Sequence, residues 1–102
     1  MMAERMPTPA NVRKVLERAG FSFGGGRDAG RMGRSMAHAH TSGLKVKAIF
    51  DLRTGAANPR LGSEVCSYGS RGPDLREVAA ALREAFPSAR VTEEAMWVEV
   101  RA

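Results

Sequence analysis

At 102 residues and 43% apolar side chains, the chain is long enough for one domain with one core and too short for two. Sixteen Lys and Arg against eleven Asp and Glu leave a net charge of +5 and a sequence pI near 10.3, which disfavours basic partners and favours polyanions or acidic protein surfaces. No run approaches the roughly 18 apolar residues of a membrane helix, and a single cysteine, Cys66, cannot close an internal disulfide, so the expectation is no membrane contact and a cytoplasmic setting.

The first nine residues carry Glu4 and Arg5 and no apolar stretch of the kind a secretory signal needs. A helix is predicted next. Thr8 can act as N-cap with Pro9 in the first helical position, and Val12, Val15, Leu16 and Ala19 recur at helical spacing. Gly20 suits the left-handed position past the helix end, where it would let Phe21 fold back on Leu16. The outer face of this helix, Arg13, Lys14, Glu17 and Arg18, is net positive.

Residues 24–34 are rich in glycine and arginine and have no periodicity, which predicts a flexible arm within the single domain 1–102. Ser35 to Thr41 and Leu44 to Asp51 both alternate like strands and are separated only by Ser42 and Gly43, so a tight hairpin is expected, with Thr41 opposite Leu44 and His40 opposite Lys45. That register puts Ala37, Ala39, Thr41, Leu44, Val46, Ala48 and Phe50 on the core face. The other face then collects Arg34, Met36, His38, His40, Lys45 and Lys47.

Thr54, Gly55, Asn58, Pro59 and Gly62 mark a loop, and a short strand is expected near Glu64 to Tyr68. Pro73 near the start, Leu75, Val78, Ala79, Leu82 and Phe86 at helical spacing, and Pro87 as a stop predict a second helix. The chain closes with strands around Arg90 to Thr92 and Ala95 to Arg101 joined by a turn at Glu93 and Glu94. In the last strand Met96, Val98 and Val100 face one way and Trp97 and Glu99 the other. The order α-β-β-β-α-β-β predicts an α+β fold with two helices on one face of a small antiparallel sheet.

Charge is unevenly distributed along this order. Residues 1–60 carry +7 and residues 61–102 carry −2, which points to a basic surface built by the N-terminal part. Its candidate binding residues are Arg27, Arg31 and Arg34 in the arm and His38, His40, Lys45 and Lys47 on the ribbon. Closely spaced cations of this kind suit phosphates, with no indication of specific base readout.

Other chemistries find less support. His38 and His40 share a strand face as metal ligands would, but a site needs three or four ligands and the neighbouring lysines repel a cation, so no metal or cofactor is expected. The glycine-rich segment has neither a Walker pattern nor GxGxxG. Cys66 has no base placed beside it by sequence and reads as an apolar thiol, and no serine stands in a nucleophile-elbow context. Trp97 and Tyr68 suit packing, with base stacking as the other use. The expectation is therefore a non-enzymatic module whose partner is nucleic acid. The alternative is a phage-type or mobile-element-type inhibitor or adaptor that covers an acidic or nucleic-acid-binding surface of a larger protein, with homodimer formation open.

Overall fold

In the computed structural model, which describes residues 5–23, 43–68 and 74–102, the first element is helix α1 (Pro9–Arg18). The Thr8 hydroxyl accepts from the Asn11 N–H at 3.4 Å, and Pro9 fills the first position, where no N–H is needed. At the far end Gly20 adopts φ +95°. The Gly20 N–H donates to the Glu17 carbonyl and the Phe21 N–H to the Leu16 carbonyl, closing the helix as a Schellman turn and bringing Phe21 back against the core.

The chain continues into strands β1 (Gly43–Ala48), β2 (Phe50–Asp51), β3 (Ala56–Ala57) and β4 (Gly62–Tyr68), then helix α2 (Leu75–Ala85) and strands β5 (Arg90–Glu93) and β6 (Trp97–Arg101). Four of the strands form one antiparallel sheet in the order β1-β4-β6-β5, and β2 and β3 pair as a small separate hairpin. The α+β architecture expected from the sequence is the observed one.

Both helices cover the same face of this sheet. Val12 and Leu16 from α1, Val78, Ala79 and Leu82 from α2, and Phe86 just after it meet Leu44, Val65, Val98 and Val100 from the strands in one buried cluster. Each large side chain hidden there contributes about 1.5–3 kcal/mol by leaving water. Within the same layer the Ser63 hydroxyl, fully buried, donates to the Pro7 carbonyl at 2.7 Å and so ties the segment before α1 to the middle of the sheet.

Helix α2 starts one residue after a cap that the sequence pattern had not singled out. The Asp74 carboxylate accepts from the Arg76 N–H at 2.9 Å and pairs with the Arg76 guanidinium at 3.3 Å. Those two bonds, the backbone one first, hold the Asp74 carboxyl below its ordinary value. Glu77 in the first turn and Arg83 in the last suit the helix dipole, and the Phe86 N–H closes on the Leu82 carbonyl before Pro87.

Two expectations are corrected. The strand predicted through Asp51 ends at Ala48, where the chain shifts by one residue. Ile49 is buried, its N–H donates to the Gly62 carbonyl and its carbonyl accepts from Asn58, while Phe50, expected in the core, is 59% exposed. Met96, expected beside Val98, lies in the turn closed by the Glu94 N–H on the Trp97 carbonyl and is 73% exposed. The hairpin expected at Ser42 and Gly43, with its first strand 35–41, lies outside the described residues apart from Gly43, which begins β1. The Leu44 N–H donates to the Ser22 carbonyl at 2.8 Å, and Phe23 bridges Leu44 in parallel.

Candidate functional site

Alternation along each strand and the observed registers decide what the side of the sheet turned away from both helices presents. Leu44, Val65, Val98 and Val100 point to the helices, so their strand neighbours point away. One cross-strand row runs Lys45, Cys66, Trp97. The next runs Lys47, Glu64, Glu99, Thr92, and the last Gly62, Arg101, Arg90.

These rows sort by position in the sheet. The outer strands β1 and β5 carry Lys45, Lys47, Arg90 and Thr92. The inner strands β4 and β6 carry Cys66, Trp97, Glu64 and Glu99, with Arg101 at the end of β6. Lys45 and Lys47 stand about 7 Å apart along β1, and Lys45 stands about 10 Å from Trp97, two strands away.

Two of the cations are engaged. Lys47 Nζ lies 3.5 Å from Glu64 Oε2, and Arg101 Nε donates to Glu99 Oε1. The lysine is well exposed while the Glu64 and Glu99 side chains are only 22% and 19% exposed, so both carboxylates lie low in the face with cations above them. Lys45 and Arg90 have no ion pair among the described residues. Arg90 is directly opposite Arg101, whose charge Glu99 offsets, and the neighbouring position on β4 is the bare Gly62.

Trp97 is half-buried, and its indole N–H is shielded from solvent with no hydrogen-bond acceptor. Such a donor is uncommon in a folded protein and costs about 1–3 kcal/mol while unmade. Cys66, expected as a buried thiol, is half-buried between Lys45 and Trp97 and is a free cysteine.

Of the residues expected at the site, Lys45 and Lys47 are exposed together on this open face, as the alternation required. Arg27, Arg31, Arg34, His38 and His40, with the arm and the strand 35–41 that hold them, lie outside the described residues. The sequence pattern missed Arg90 and Arg101 as partners of the lysines. Arg101 follows Trp97 and Glu99 at the spacing of one strand face, but joining it to Lys47 needs the β4-β6 pairing, which no local pattern shows.

Cations elsewhere have other company. Arg13 lies 3.7 Å from Glu17 and 4.9 Å from the centre of the Phe23 ring, Arg76 pairs with Asp74, and Arg83 bonds both Glu93 and the Val91 carbonyl at the β5 edge. On the β2–β3 hairpin Arg53 is exposed next in sequence to Leu52, which is 97% exposed, and Phe50 is also exposed. Its tip is held by the Gly55 N–H on the Asp51 carbonyl at 2.7 Å and by the Asp51 side chain on the Arg53 N–H.

Among the described residues no three His, Cys, Asp or Glu side chains converge as metal ligands would, and no helix there is long and apolar enough to cross a membrane. Comparison with protein families, with curated proteins and with solved structures finds no match to this chain.

Proposed function

We propose that this chain is a non-enzymatic binding module that holds nucleic acid, without strong sequence specificity, on the open face of its sheet. The observation that supports this most is the gathering of Lys45, Lys47, Arg90 and Arg101 on one face that neither helix covers, with two of the four free of any ion pair among the described residues. Phosphates neutralised by such cations release counterions, and that release drives binding at low salt. In this proposal Arg27, Arg31, Arg34, His38 and His40 extend the same surface. The lone free Cys66 suits a reducing, cytoplasmic location.

Electrophoretic shift on random-sequence DNA and RNA tests the proposal. The expected result is a shift at low salt that is lost as salt is raised and lost in the Lys45→Glu/Lys47→Glu variant. No shift at low salt, or a double variant that binds as the parent does, refutes it.

A second reading has its own support. Phe50 and Leu52 stand out on a hairpin whose tip is fixed by internal hydrogen bonds, and exposed apolar side chains beside an arginine suit a protein partner. In that reading the chain is an inhibitor or adaptor that covers an acidic or nucleic-acid-binding surface of a larger protein. Recovery of one stoichiometric protein after nuclease treatment, lost in Leu52→Ser/Phe50→Ser, would favour it.

A further inference from the structure

From the layout of the open face we infer that the nucleic acid is single-stranded, with bases directed at the inner strands and phosphates at the rims. This inference rests on the nucleic-acid proposal above and narrows it.

The three rows of side chains divide by chemistry as well as by position. The rim strands offer ammonium and guanidinium groups, Lys45 and Lys47 on β1 and Arg90 on β5. The inner strands offer groups that suit bases. Trp97 supplies an aromatic surface on which an unpaired base can stack, and the Glu64 and Glu99 carboxylates place negative charge in the middle that disfavours phosphates there.

A duplex would use this face badly. Its outer surface is phosphate, and phosphates laid across the sheet would pass over Glu64 and Glu99, while Trp97 would meet no free base. A single strand has the reverse requirements. Its phosphates stay at the rims and its bases reach the middle, where the exposed part of the half-buried Trp97 ring offers a surface for stacking. Arg90 and Arg101, opposed across β5 and β6 above the bare Gly62, would be drawn together by one bridging phosphate.

Trp97 is the only tryptophan, so its fluorescence reports on the contact directly. The full chain is titrated at one low salt concentration with oligodeoxycytidine, with a duplex of the same length and with inorganic polyphosphate. The expected result is quenching by oligodeoxycytidine alone and an affinity for it about tenfold above that for the duplex. Trp97→Leu should lose most of that advantage by electrophoretic shift while keeping the duplex affinity. Trp97→Phe, which preserves a stacking ring, should keep at least half of it on a logarithmic scale.

Equal affinity for the two DNA forms, equal quenching by polyphosphate, or an unchanged preference in Trp97→Leu overturns the inference. Should the leucine variant not fold, as judged by circular dichroism, the first two outcomes and the phenylalanine variant still decide it. Binding to duplex and single strand alike that depends on Lys45 and Lys47 would defeat this inference and leave the broader proposal standing. No binding to any nucleic acid would defeat both.

Discussion

Removing one carboxylate should strengthen nucleic-acid binding more plainly than adding a cation. Glu64 holds Lys47 at 3.5 Å and is the less exposed partner, so Lys47 reaches a phosphate only by giving up that pair, whereas Lys45 has none to give up among the described residues. For single strands the logarithm of the binding constant falls with the logarithm of salt by about 0.7 for each phosphate neutralised. If only Lys45 and Arg90 act as free cations, the slope is about −1.4, and releasing Lys47 through Glu64→Gln takes it to about −2.1. The gain at low salt is about 1 kcal/mol, some fivefold, for one added cation near a phosphate in a solvent-exposed setting. Lys45→Gln should act in the opposite direction, flattening the slope by about 0.7 and weakening binding by a similar factor. Fluorescence or anisotropy titrations over a range of salt concentrations measure both numbers. Weaker binding or a flatter slope in Glu64→Gln would refute the argument that this carboxylate restrains Lys47, and an unchanged slope in Lys45→Gln would remove that lysine from the phosphate path.

Gly62→Ala should be severely destabilising, by about 3–5 kcal/mol in urea unfolding, because the new Cβ would fall 2.0 Å from the Val100 carbonyl oxygen at φ +131°, forcing β4 and β6 apart. Gly55→Ala, at φ +69° with open space around it, should cost only about 1–2 kcal/mol, so equal losses would show that the β4-β6 approach is looser than described. Ser63→Ala removes the bond to the Pro7 carbonyl inside the core and should cost about 1–3 kcal/mol, and a neutral effect would mean that the tether contributes nothing to stability. Asp74 should make stability depend on acidity: its carboxyl is held below the ordinary value in the folded chain, so its contribution is complete above that ordinary value and is lost as pH falls through the lower folded one. Asp74→Asn, which can still cap α2, should flatten this part of the pH profile by lowering stability near neutrality while leaving it close to the parent's in acid, and a profile identical to the parent's would refute the assignment.

How far the sequence was legible follows the range of the interactions involved. The start and stop of α1 are local chemistry, a hydroxyl three residues from an N–H and a glycine free to take φ +95°, and both stood in the pattern Thr8-Pro9 and Gly20. Helix α2 was legible from its apolar spacing, yet Asp74 was passed over because Pro73 is also a start signal and lies one residue earlier. The break after Ala48 was not legible, since Leu44, Val46, Ala48 and Phe50 alternate without interruption. What ends β1 is the demand of Ile49 for the core and the bonds it makes to Asn58 and Gly62, nine and thirteen residues away.

The same distinction governs the candidate site. Alternation alone put Lys45 and Lys47 on one side, and the charge asymmetry directed attention to the N-terminal part of the chain, but half of the described cations on the open face, Arg90 and Arg101, come from the part that is net negative. They arrive there because β6 inserts between β4 and β5, so the last strand occupies the interior of the sheet instead of extending one edge. That insertion also sets the chemistry of the surface. It brings Glu99 beside Glu64 and Trp97 beside Cys66 in the middle, and it leaves the lysines of β1 and the arginine of β5 on opposite rims. Had β5 and β6 exchanged places, Trp97 and Glu99 would lie on a rim and Arg90 beside Glu64 or Gly62. The face would then lose its division into a cationic border and a centre that carries the aromatic ring and negative charge, and with it the physical ground for preferring an unpaired strand to a duplex.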